Sequence, residues 1–173
     1  MQLNVPDPAL VLLVGPSGSG KSTFAHAHFR PTEIISSDAM RAMLADDAGA
    51  QEASAEAFHV LTILVNGRLR RRLTTVVDAT NLRAANRKRY RGIANRYGVP
   101  TVAIAFDLPP QLYLARNSLR PDRVVGDDVV ANQADRMAQA LADLAAEDYA
   151  ALYTLREPET LGAISIVRQP SRT

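Results

Sequence analysis

Cysteine and tryptophan are absent from this 173-residue chain, and aromatic residues make up only 5% of it. Without thiols it can build no cysteine-ligated zinc site, redox dithiol or thiol nucleophile, and a reducing compartment suits it. No apolar run approaches the roughly 18 residues that a membrane span needs. The opening MQLNVPDPAL lacks the basic stretch and apolar core of an export signal. The expectation is a soluble, cytoplasmic chain with no membrane partner. Lysine is almost missing too: Lys21 and Lys88 are the only two among 20 cationic residues. The length fits one domain, residues 1–173, able to bury a core without disulfides or structural metal.

What is present is unevenly spread. The formal net charge is only +2. Yet between positions 68 and 96 run Arg68, Arg70, Arg71, Arg72, Arg83, Arg87, Lys88, Arg89, Arg91 and Arg96, against the single acid Asp78. Acids gather instead at 46–56 and 127–148. One strongly positive face suits an anionic partner.

Apolar periodicity alternates short β-rich runs with longer helical patterns, the signature of a parallel sheet covered by helices. Strands are expected at 10–14, 33–36, 74–78, 101–106 and 150–155. Helices are expected at 21–29, 38–45, 52–72, 84–97, 110–119 and 127–146. The tail, 157–173, is ambiguous: ETLGA starts like a helix and ISIV reads like a strand. Continuous apolar strands such as VLLV and VAIAF require burial on both faces, and ligands of such sheets bind beyond the carboxyl ends of the strands.

Directly after the first of these strands, Gly15-Pro-Ser-Gly-Ser-Gly-Lys21-Ser22-Thr23 matches G-x-x-x-x-G-K-[ST] in full. The glycines let backbone N–H groups turn toward phosphates, Lys21 reaches the β and γ oxygens, and the Ser22 hydroxyl ligates Mg²⁺. Gly15, Ser17, Gly18, Ser19, Gly20, Lys21, Ser22 and Thr23 are therefore the expected nucleotide-binding residues. No N-K-x-D base-reading motif of a switch GTPase occurs.

The stretch EIISSDAMR, 33–41, ends an apolar run in an aspartate and follows it three residues later with an arginine. Ser37 or Asp38 can cap the helix that starts here. Asp38 also emerges on the same sheet edge as the phosphate loop, where a carboxylate can accept a hydroxyl proton during phosphoryl transfer. Arg41 falls on nearly the same helix face, where a guanidinium can grip a second anionic group of the acceptor. Its alternative is a surface pairing with Asp46 or Asp47. Further on, VVDATN puts Asp78 at a strand end, the place of a carboxylate that holds Mg²⁺ through water, with Asn81 able to orient substrate. An Asx turn is the plainer account. Within the basic tract, Arg87 is expected to touch the acceptor.

Late in the chain, Arg116-Asn-Ser-Leu-Arg120-Pro-Asp-Arg123 sets Arg116 and Arg120 four apart on one helix face, with Pro121 ending the helix. Such arginines can fold over a triphosphate as a lid, about residues 116–146, and neutralise charge as the γ-phosphoryl moves. They can equally balance the acidic helix that follows.

Taken in order, GPSGSGKST, ISSDAMR, VVDATN and RNSLRPDR resemble the kinase domain of bacterial polynucleotide kinase-phosphatase, a P-loop 5′-hydroxyl kinase family of nucleic-acid repair. The likeness runs from about Val11 to Leu155. It implies a P-loop NTPase of adenylate-kinase-like type, with a five-stranded parallel sheet flanked by helices and a small arginine-bearing lid. It further implies ATP and Mg²⁺ as cofactors and a DNA or RNA 5′-OH end as acceptor. By motif match Lys21 and Ser22 hold phosphates and metal, Asp38 is the general base and Arg41 grips the phosphate 3′ of the accepting nucleotide. Arg116 and Arg123 belong to the lid, and Arg120 binds nucleotide or braces it. Asp78 and Asn81 fit the family's pattern. Such kinases usually belong to larger end-healing enzymes with phosphatase and ligase modules. No D-x-D-x-T phosphatase signature occurs here. The rival expectations are a small-molecule kinase of the same fold, acting on an antibiotic, sugar or nucleotide-sugar, and a slow ATP-hydrolysing switch.

Overall fold

The computed structural model describes residues 1–118 and 127–170. Five strands, β2 (Leu10–Val14), β3 (Ile34–Ser36), β4 (Thr75–Asp78), β5 (Thr101–Phe106) and β6 (Ala151–Leu155), form one sheet in the order β3-β4-β2-β5-β6. Every pairing in it is parallel. The α/β class and the five-stranded parallel sheet are thus as the alternating pattern foretold. Parallel neighbours need long crossovers, and helices supply them: α1 (Lys21–His28), α2 (Ser37–Ala45), α3 (Ser54–Arg70), α4 (Ala84–Arg96), α5 (Pro110–Ser118) and α6 (Asp127–Ala146).

The pleat of β2 divides the core. Leu10, Leu12 and Val14 point to one face, where Leu61, Val65 and Leu69 of α3, Tyr90 and Ala94 of α4, and Met137 and Leu144 of α6 pack. Val11 and Leu13 point to the other, against Phe24 and Ala25 of α1. All five β2 side chains are sealed from water, which is why the strand reads as an unbroken apolar run rather than an alternation.

A second, two-stranded sheet was not foreseen. β1 (Gln2–Asp7) pairs in parallel with β7 (Ser165–Pro170), from Gln2 opposite Ser165 to Asp7 opposite Pro170. In β1 only Leu3 and Val5 are buried, and Asn4 and Pro6 between and after them disguise the strand. The ISIV of the tail resolves as strand; the ETLGA before it is a short 3₁₀ segment, Pro158–Ala163. This small sheet is tied to the main one by charge. Glu33, almost wholly buried in the turn before β3, accepts from Arg168 of β7 at 2.7 and 2.6 Å and from Arg30 at 2.8 Å. Burial pushes the Glu33 carboxyl upward, but the Arg168 and Arg30 hydrogen bonds outweigh it and hold the group at about 2.

Among the described residues no helix is long and apolar enough to cross a membrane.

Candidate active site

At the carboxyl edge of the sheet, the chain leaves β2 and turns into α1 through residues 15–20. Gly18, at φ +84°, sits so close to α5 that a Cβ there would lie 2.6 Å from the Tyr113 carbonyl oxygen. Gly20 caps α1 in the left-handed region, at φ 92°, a conformation that costs glycine nothing. Backbone bonds fix the loop from both sides. Gly15 N–H donates to Thr80 O at 2.9 Å, and Ser17 N–H donates to Gln133 Oε1 of α6 at 2.7 Å. Lys21 is buried and its Nζ folds back to donate to Pro16 O at 2.7 Å and Ser19 Oγ at 3.3 Å. Ser22 is half-buried and faces the cleft, whereas Thr23 is exposed on α1 outside its lining.

The second wall begins at α2. Its N-cap is Ser36, whose Oγ accepts from Asp38 N–H at 3.3 Å, and not Ser37 or Asp38. The cap lies one residue earlier because β3 and α2 are joined without a loop. The Asp38 carboxylate is therefore spared for the cleft, which it lines together with Arg41. Arg41 Nη2 donates to Asp38 Oδ1, and Arg41 Nε donates to Ala48 O at 2.8 Å. Its partner is Asp38 itself rather than Asp46 or Asp47. Burial lowers the Arg41 pKa and the nearby Asp47 partly restores it, so this is a desolvated cation. Among the described residues, two of its five N–H groups are engaged.

Asp78, the buried last residue of β4, stands opposite Leu13 of β2 and Ser36 of β3 in the sheet and opens onto the same cleft. Lys21, Ser22, Asp38, Arg41 and Asp78 thus share one cavity of about 530 Å³, within the range of small-ligand sites. A backbone cradle of turned N–H groups with a lysine beside it fits a polyphosphate. Among the described residues no group of three acidic, histidine or cysteine side chains gathers as a metal cage. The Ser22 hydroxyl and the Asp78 carboxylate are hard oxygen donors, the kind Mg²⁺ takes alongside phosphates and water.

Arg116 of α5 is half-buried, and a Cβ on Gly20 would be 3.5 Å from its Nη1, so the guanidinium reaches over the phosphate loop. Arg120 and Arg123 lie outside the described residues.

Two expected substrate contacts need correction. Asn81, at φ 49°, is buried and donates through Nδ2 to Leu13 O at 2.8 Å and Val77 O at 3.3 Å, bracing β2 against β4. Arg87 is fully buried. It donates to Asn81 O at 2.9 Å, to Leu82 O at 2.8 Å, and through Nε and Nη2 to the Glu147 carboxylate. Burial alone would lower its pKa, but the Glu147 hydrogen bond raises it. The phase of α4 decides this outcome, for Arg87 shares the inward face with Tyr90 and Ala94. Tyr90 is 1% exposed there.

Other cleft residues escaped the sequence reading as site members: Gln51, Ser54 and Phe58, then Arg83 at the N-cap of α4 with Asn86 and Arg89 on that helix, and Gln133 and Arg136 on α6. Arg83 and Arg89 carried a signal, as members of the basic tract. The glutamines carried none.

A model of the AAA domain family matches residues 10–144. Comparison with curated proteins gives no match. Among solved structures, a chain of the Pnkp1/Rnl/Hen1 RNA repair complex aligns with a TM-score of 0.69 at 21% identity, covering 84% of this chain and 48% of that one. The present chain therefore spans about half of that relative's length. The APS kinase CysC of Mycobacterium tuberculosis, solved with AMPPNP and APS, aligns with a TM-score of 0.51 at 20% identity, covering 80% of this chain and 99% of that one. A chain of the PezAT toxin-antitoxin system of Streptococcus pneumoniae aligns with a TM-score of 0.58 at 16% identity, covering 90% and 71%. At these identities the likenesses establish a shared P-loop kinase-like fold.

Proposed function

The chain belongs to the AAA domain family, and from that premise we propose that it is an ATP-dependent kinase that phosphorylates the 5′-hydroxyl end of a nucleic-acid strand. The observation that carries this reading is the Asp38–Arg41 pair in the same cleft as Lys21. A switch needs no carboxylate on the acceptor wall, and a neutral acceptor needs no desolvated cation beside it. The shared fold with a chain of an RNA repair complex supports the same choice.

In this reading the turned N–H groups of the phosphate loop and Lys21 bind the triphosphate, and Arg116 covers it. Ser22 and Asp78 would hold Mg²⁺, which when bound neutralises phosphate charge. Arg41 orients Asp38 through Oδ1 and grips the phosphate that follows the accepting nucleoside. The 5′ oxygen forms its bond to the γ-phosphorus while the bond to the bridging oxygen breaks. The hydroxyl proton passes to Asp38 and ADP departs with the electron pair.

The test is transfer of labelled γ-phosphate from ATP to a short 5′-OH oligonucleotide beside its 5′-phosphorylated twin. Label is expected on the 5′-OH strand alone. Asp38→Ala should lower the rate by about 10²- to 10⁴-fold with ATP affinity kept. No label on either strand, with ATP bound, would overturn the acceptor and turn attention to phosphorylated small molecules such as the APS present with the CysC kinase. Undiminished transfer by the Asp38 variant would remove the general base.

A further inference from the structure

The ten cations between 68 and 96 are not equivalent once the chain is folded. Arg68 donates to Thr74 O, Arg71 to Gly67 O, Arg72 to Tyr97 O and Arg91 to Asp148 O. Arg87 is consumed by Glu147. Only Arg83 and Arg89 of the tract line the cleft, with Asn86 between them. Arg83 is the N-cap of α4, and Asn86 and Arg89 follow it at three-residue intervals into the same lining. Arg136 of α6 joins the same lining, one turn from the Gln133 that holds Ser17 of the phosphate loop.

Among the described residues, neither Arg83, Arg89 nor Arg136 forms an ion pair, and all three are exposed. The cleft therefore holds five cations, Lys21, Arg41, Arg83, Arg89 and Arg136, against the two carboxylates Asp38 and Asp78. Lys21 belongs to the donor triphosphate, and Arg41, tied to Asp38, can reach only an anion next to the reacting hydroxyl. Arg136, beside the phosphate loop, falls to the donor as well, which leaves Arg83 and Arg89 at the start of α4. A small acceptor with one phosphate has nothing to offer them, whereas a strand with successive phosphodiesters does.

We propose that Arg83, Asn86 and Arg89 form a second phosphate subsite, which holds the next phosphodiester of the acceptor strand after the one gripped by Arg41. The proposal rests on the kinase reading above and narrows its substrate class to acceptors with at least two phosphates. Guanidinium forks bind phosphodiester oxygens bidentately, and Asn86 adds an amide donor between them. No base-specific contact is involved, so the subsite measures length rather than sequence.

The experiment compares kcat/KM for a nucleoside 3′-monophosphate, a dinucleotide carrying a 3′-phosphate and a longer 5′-OH oligonucleotide, at two salt concentrations. The wild type is expected to favour the two-phosphate acceptor over the one-phosphate acceptor by about tenfold or more, as for one added charge-assisted contact. Arg83→Ala and Arg89→Ala should each erode that preference through acceptor KM rather than kcat. Each should also flatten the salt dependence by roughly 0.7 in log–log slope. Arg96→Ala, an exposed tract member outside the cleft, should match the wild type. Equal losses on all acceptors, or an equal effect from Arg96→Ala, would reduce the result to general charge and overturn the subsite. If the wild type uses all three acceptors alike, the subsite fails while the kinase reading stands. If it labels none of them, both fall.

Discussion

Replacing Glu33 by glutamine tests how far one buried carboxylate holds the two sheets together. The side chain is 1% exposed and receives Arg168 of the small sheet and Arg30 of its own turn. Its fall from 4.5 to about 2, at about 1.4 kcal/mol for each tenfold change in proton affinity, corresponds to on the order of 3 kcal/mol favouring the folded state at neutral pH. Because the folded pKa is the lower one, this contribution is complete above the unfolded value near 4.5. It declines as the pH falls, retaining about half its size near pH 3 and vanishing below about pH 2. The amide keeps the shape and an acceptor oxygen but loses the charge. Urea unfolding of wild type and Glu33→Gln should therefore differ by about 2 to 3 kcal/mol at pH 7 and progressively less toward pH 3. The difference between the two proteins is the readout, since other carboxylates titrate in both. A gap that stays constant across this range would mean that packing, and not the ionised carboxylate, sets the cost, and would refute the argument.

Gly18→Ala should lower nucleotide affinity by at least about tenfold. A Cβ 2.6 Å from Tyr113 O must shift either the loop or α5, and titration with a fluorescent ATP analogue would show it; wild-type affinity would mean the loop relaxes freely. Glu147→Gln removes the charge that Arg87 is buried against, and unfolding free energy should drop by about 3 kcal/mol or more, as for other broken buried pairs. Removing both partners, as Arg87→Met with Glu147→Gln, should recover part of that loss in a double-mutant cycle, and a purely additive result would deny the coupling.

Much of the frame was legible because spacing dictates it. Nothing but a buried parallel strand accommodates VLLV before a glycine-rich turn, and Asp38 and Arg41 meet because residues three apart on a helix must. The remainder depends on relations that spacing does not encode. Arg87 and Arg89 are alike in sequence, yet burial of Tyr90 and Ala94 in the core sets the phase of α4 and turns one inward and the other to the cleft. Asn81 looked like a ligand because its amide is polar, when the backbone carbonyls of β2 and β4 were what it satisfied. β1 was invisible because its partner β7 lies some 160 residues away, beyond any local pattern. Gln133 and Arg136 sit in a helix that reads as an acidic surface, and only the fold brings its inner edge to the phosphate loop.

The helical phase of α4 also constrains the short segment 79–83 that precedes it. Surface connections ordinarily accept an extra residue at small cost. This one is buried at Ala79, Asn81 and Leu82, and Arg87 of α4 holds the Asn81 and Leu82 carbonyls, so an added residue would have to break those bonds and unseat the start of α4. The length of this connection is thus a setting of the cleft wall in its own right: diversity in what lines the cleft can arise by exchanging side chains along α4, but not by lengthening the loop that starts it.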